Sequence, residues 1–122
     1  MTTLPSEFFA NLTELQRLYL TANGFVTLPE DLFRGCTSLT YINLKQNYLQ
    51  TLPVDIFRDL TELEKLYLNS NDFATLPDRI FWKKYKLVKL DLSKNRITSI
   101  SKYVQVTLTI QTIMMTYVFI NL

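Results

Sequence analysis

At 122 residues the chain is sized for one domain, and with 48% hydrophobic residues it is too apolar for disorder. Its 13 basic and 11 acidic side chains leave a small net charge. It has no histidine, the commonest general base and metal ligand, and its single cysteine, Cys36, rules out an internal disulfide.

Taken from the start, Met1-Thr2-Thr3-Leu4-Pro5 shows no basic region followed by an apolar run, so no signal peptide is visible. Leu4-Pro5, Phe8-Phe9 and Leu12 then copy the second half of a unit whose first half is missing. The same positions return as Leu28-Pro29, Leu32-Phe33 and Cys36, then as Leu52-Pro53, Ile56-Phe57 and Leu60, then as Leu76-Pro77 and Ile80-Phe81. The chain therefore opens inside a repeat, as a fragment would. Cys36 takes the place of Leu12 and Leu60 and reads as a small buried apolar residue.

Between these stretches lie four copies of a second pattern, starting at Leu15, Leu39, Leu63 and Leu87, each 24 residues after the last. A fixed period of this length signals stacked units. Leu18 and Leu20, Ile42 and Leu44, Leu66 and Leu68, and Leu90 and Leu92 are spaced two apart, the strand period, so each pair faces one way. One such strand cannot bury its apolar side alone. Stacked on its neighbours, it builds a parallel sheet over one continuous core. The expected architecture is an α/β-type repeat solenoid. It has a short parallel β-sheet on the concave face, irregular or 3-10 turns on the convex face, and little regular helix.

Asn23, Asn47, Asn71 and Asn95 close the four strands. An amide carries both donor and acceptor, so a stacked column of them can satisfy backbone groups that the turn leaves unpaired. They read as a structural ladder. The prolines after each inner turn suit an extended return path. Phe9, Phe33, Phe57 and Phe81 recur at the period and read as an aromatic spine, expected to pack edge to face.

Charge is unevenly spread. Residues 1–78 hold five basic and ten acidic side chains, whereas 79–102 hold eight basic and only Asp91. The run Lys83, Lys84, Lys86, Lys89, Lys94, Arg96 and Lys102 reads as solvated surface. An acidic partner, a phosphate backbone or a lipid headgroup is the alternative.

After Ile100 the pattern fails: Ser101 replaces proline and Gln105 replaces phenylalanine. Alternation takes over, with Val104, Val106, Leu108 and Ile110 against Gln105, Thr107, Thr109 and Gln111. The expected division is a solenoid over 1–102, with a partial repeat at 1–14, full repeats from 15, 39, 63 and 87, and the last degenerate. An uncharged β-rich tail, 103–122, would follow as a makeshift cap. Its length also admits a membrane span, which glutamines, threonines and alternation do not favour. If it spans, the basic residues before it put the N-terminal side in the cytoplasm.

These residues resemble the leucine-rich repeat family, over residues 4 to 100. The 24-residue period with Leu-Pro and then Phe is similar to the "typical" subclass of Toll-like receptor, Slit and variable lymphocyte receptor ectodomains. The resemblance implies a horseshoe solenoid. It leaves function open, because the family binds proteins, glycans, lipids and nucleic acids. Extracellular members usually carry Cys-rich caps, which this sequence lacks, so the compartment is open: cell surface or extracellular within a larger receptor, cytoplasmic if the chain is whole. Asn11-Leu12-Thr13 is an N-glycosylation sequon, with Asn11 as acceptor.

No catalytic constellation is present. Glu30-Asp31 and Glu62/Glu64 read as solvated charge, and no cofactor or metal site is expected. What remains is the concave face. Arg17, Tyr41, Lys65 and Lys89 form one column of variable positions, and Tyr19, Asn43, Tyr67 and Asp91 the next. Tyr and Arg are types enriched among binding hot spots. The expected function is non-catalytic binding of a protein or peptide on this face, anchored by Tyr19, Tyr41 and Tyr67. Spacer repeats without a ligand of their own, or a cytosolic scaffold with a weak C-terminal membrane anchor, are the alternatives. Nucleic acid is not favoured, because no base-stacking module is matched. Oligomeric state is left open.

Overall fold

The computed structural model describes residues 2–104 and 117–119. Five three-residue strands form one parallel sheet in chain order: β1 (Arg17–Tyr19), β2 (Tyr41–Asn43), β3 (Lys65–Tyr67), β4 (Lys89–Asp91) and β5 (Tyr117–Phe119). Leu18 pairs with Ile42, Ile42 with Leu66, and Leu66 with Leu90. A shift of one residue would turn every apolar side chain out of the core, so the sequence period holds this register.

Behind the sheet lies one core. Ile42, Leu66 and Leu90 are buried, as are Leu44, Leu68 and Leu92 beside them. Phe25, Leu49, Phe73 and Ile97, two residues past each asparagine, are buried in turn. Burying each such side chain contributes about 1.5–3 kcal/mol, an upper estimate because the unfolded chain already hides some surface. Leu15 and Leu18, in the first coil, are only partly covered.

The return stretches are turns closed by i to i+3 bonds. Ile56 N–H donates to Pro53, Arg58 to Asp55, and Leu60 to Phe57. These are 3-10-type contacts, used where a tight coil has no room for a longer helix.

The residue before each asparagine takes the left-handed conformation: Ala22, Gln46, Ser70 and Lys94, with φ between 56° and 58°. None is glycine, although each such residue costs on the order of 1 kcal/mol or more. The ladder that follows holds them there. Asn71 donates its amide to the Leu68 carbonyl of its own turn and to the Leu44 carbonyl of the coil before, and accepts the Leu49 N–H. Asn47 and Asn95 repeat this arrangement. Asn23, in the first strand-bearing coil, departs from it. It is exposed and reaches only the Thr21 carbonyl, at 3.4 Å.

Four expectations are corrected. The spine rings lie nearly parallel rather than edge to face: Phe9 on Phe33 at 6.4 Å and 10°, and Phe33 on Phe57 at 6.3 Å and 14°. Leu12, in the first turn, is 47% exposed, while its counterparts Cys36 and Leu60 are fully buried. Lys84, read as solvated, is 2% exposed. It stands in the core column of Cys36 and Leu60.

The coil also outlasts Ile100. Val104, expected to begin an alternating strand, lies in a helical turn over 102–104, buried one period after Ile80. Its N–H reaches the Ser101 hydroxyl, where earlier coils use a proline carbonyl. Strand β5 then pairs Val118 with Leu90, 28 residues on instead of 24. The alternation over 105–111 lies outside the described residues. Among the described residues no helix is long and apolar enough to cross a membrane.

Candidate functional site

Strands β1 to β4 turn their central residues toward the core, so the two flanking residues of each point out of the opposite side of the sheet. Register then puts Arg17, Tyr41, Lys65 and Lys89 in one row and Tyr19, Asn43, Tyr67 and Asp91 in the other.

The aromatic contacts cross between these rows. The Tyr19 and Tyr41 rings are 4.9 Å apart and tilted by 41°. Tyr41 and Tyr67 are 5.4 Å apart and tilted by 46°. Cations close both ends of this diagonal. The Arg17 guanidinium sits 4.5 Å from the centre of the Tyr41 ring, and its Nε donates to the Tyr19 hydroxyl at 3.1 Å. The Lys89 ammonium lies 5.3 Å from the centre of the Tyr67 ring. Such contacts contribute about 0.5–1 kcal/mol each at exposed positions and more once desolvated.

Asn43 occupies the gap in the diagonal and does not reach the open surface. It is 8% exposed, accepts the Lys45 N–H at 3.1 Å and reaches the Tyr41 hydroxyl at 3.4 Å. Its amide is thus engaged by its own strand and turn, beside the Tyr41 hydroxyl. Asp91 is likewise occupied. Its Oδ1 accepts both the N–H and the hydroxyl of Ser93. Lys65 is exposed beside Tyr41, and Tyr19 is 58% exposed. The open face is thus three tyrosines with Arg17, Lys65 and Lys89, held by strands rather than loops.

A concavity not foreseen from the sequence lies among the return turns. A cavity of about 210 Å³ opens between the turn carrying Asp55 and Arg58 and the next, carrying Arg79, Trp82, Lys83 and Lys84. Burial pushes the Lys84 ammonium's pKa down, and nearby Asp59 offsets this in part. One signal was available. Trp82-Lys83-Lys84-Tyr85-Lys86 stands where sister coils have Arg34-Gly35-Cys36-Thr37-Ser38 and Arg58-Asp59-Leu60-Thr61-Glu62.

Comparison with known proteins agrees with this geometry. The family model described as "Leucine rich repeat" matches residues 13–73 and 62–109. No curated protein matches the sequence. Among solved structures, the chain is similar to one in the Drosophila Toll–Spatzle complex, with 40% identity over 88% of this chain and a TM-score of 0.84. A glycosylated form of that complex gives 39% identity over 89% of this chain and a TM-score of 0.85. In both cases this chain spans 14% of the matched chain's length. With its period, parallel sheet, asparagine ladder and matched model, the chain belongs to the leucine-rich repeat family.

Proposed function

We infer that this chain is a non-catalytic binding module that takes a protein or peptide ligand on its concave sheet face, within a larger receptor. The observation that carries this reading is the diagonal of Tyr19, Tyr41 and Tyr67 between Arg17 and Lys89. Rigid aromatic rings bring large contact area at low entropic cost, and these are already oriented by one another before a ligand arrives. Arg17, Lys65 and Lys89 suit acidic side chains on the ligand. The similar Drosophila chains were solved in complex with a protein, Spatzle, which supports a protein ligand and an extracellular setting. In that setting Asn11, exposed at the edge of the first coil, would accept a glycan.

The test uses peptides selected from an unbiased library against the whole chain. Replacing Tyr19, Tyr41 and Tyr67 by alanine should weaken the selected peptides at least tenfold, with the circular dichroism spectrum unchanged. Selected peptides that bind the triple variant as tightly as the parent would remove the reading.

A further inference from the structure

The turn spanning Trp82 to Lys86 departs from its sisters at every position, and three of the departures, Trp82, Lys83 and Lys84, meet at one place. Trp82 and Tyr85 are 55% and 70% exposed, though large aromatic side chains are usually covered. Lys83 is held at φ 58°, a backbone setting that its sister coils give to Gly35 and Asn11. Lys84 is buried where apolar residues stand in the coils before it. Strained and buried charged residues gathered at one spot are a feature of binding sites.

The cavity of about 210 Å³ gathers Trp82, Lys83 and Lys84, with Tyr85 outside its lining. Arg58, Arg79, Lys83 and Lys84 line it against a single carboxylate, Asp55, so positive charge is in excess. Arg58 leans toward Asp59, at 3.7 Å. Among the described residues, Arg79 and Lys83 make no ion pair with a carboxylate. The Arg79 guanidinium lies 5.5 Å from the centre of the Trp82 ring, which presents its fork beside a flat apolar platform. Burial already disfavours the Lys84 ammonium, and an incoming anion would offset that cost.

We propose that this convex cavity binds a sulfated sugar unit of a glycan chain, with Arg79 and Lys83 holding the sulfate and Trp82 flanking the ring. The cavity is smaller than the roughly 300–1,000 Å³ of drug-sized pockets, so it admits one ring with its charged substituent. A planar guanidinium pairs with two oxygens of an oxyanion at once. The cations surround a concavity instead of ringing a flat apolar patch, which favours a single inserted group over a bilayer surface. The site lies on the opposite side of the coil from the tyrosine diagonal and stands independently of it.

Trp82 is the only tryptophan in the chain, so its fluorescence reports on this cavity alone. The full chain is titrated with a heparin oligosaccharide, its desulfated counterpart, inorganic sulfate, and phosphatidylserine vesicles. The heparin oligosaccharide should give a saturable change that weakens as salt is raised, with the desulfated form at least tenfold weaker. Arg79→Gln with Lys83→Gly should cut heparin affinity at least tenfold. Glycine suits the left-handed backbone there, so the melting temperature should hold. Arg34→Gln, on an earlier coil, should bind as the parent does. Unchanged affinity in the double variant overturns the proposal, as does equal binding of the desulfated form. A response to vesicles alone (a membrane surface), to sulfate alone (an adventitious ion only), or to no probe overturns it as well.

Discussion

The side-chain amide of Asn71 donates to the carbonyl of Leu44, 27 residues earlier, at 3.0 Å. That bond ties one coil to the next through a buried polar group. Asn71→Ala would leave the Leu44 and Leu68 carbonyls and the Leu49 N–H without this partner. The two carbonyls keep Asn47 and Asn95 as donors, so the Leu49 N–H is the group orphaned, and a loss of about 1–3 kcal/mol is expected in urea unfolding. Asn23→Ala, at the exposed end of the same ladder, should cost under about 0.5 kcal/mol. Equal losses at the two positions would mean that the ladder does not hold the coils together.

Phe57 is buried in the ring stack, and Phe8 is 56% exposed. Phe57→Ala should destabilise by about 3–5 kcal/mol, combining lost transfer energy with the cavity left behind. Phe8→Ala should cost under about 1 kcal/mol, since most of its surface is already wet. Thermal or urea unfolding of both variants checks the contrast. A loss well under 1 kcal/mol for Phe57→Ala would place its ring outside the packed core.

Lys84 carries a stability dependence on pH. Burial sets its folded pKa below the unfolded value of about 10.4. Between the two values the unfolded chain binds more protons, so stability rises with pH across that window. Below the folded value the ammonium carries its burial penalty, offset in part by Asp59. Lys84→Leu, copying Leu60 one coil earlier, should stabilise by about 1 kcal/mol at neutral pH and abolish the alkaline rise. Urea unfolding at pH 7 and pH 10 reads both. Destabilisation at pH 7 would show that interactions of the ammonium outweigh its desolvation.

Gly35 sits at φ +77°, and a Cβ there would collide with Asn11 Oδ1 and stand 3.2 Å from Asn11 Cα. Gly35→Ala should cost about 1–3 kcal/mol from backbone strain and this close approach. Gln46→Gly, at φ 58°, should be neutral or stabilise by up to about 1 kcal/mol, because glycine relieves the left-handed position. Melting temperatures of the two variants should therefore not fall together. Equal falls would contradict the backbone geometry at both sites.

The sequence alone determined how the coils stack. A 24-residue period of apolar positions leaves a single register that puts Leu18, Ile42, Leu66 and Leu90 in one column facing the core, so strand pairing and the two outward rows were legible in the sequence. Only the tertiary structure decided what those rows do. Tyr41 meets Tyr19 and Tyr67 across the rows, and Asn43 sinks beneath them, because side-chain length and tilt are not encoded in the period. The same holds where the pattern breaks. Lys84 occupies the core and Val104 continues the coil, since a residue's fate follows the column it stands in more than its own hydropathy. The cationic cavity depends on two turns coming side by side, a contact between residues more than twenty apart, and so it exists only once the coil has closed.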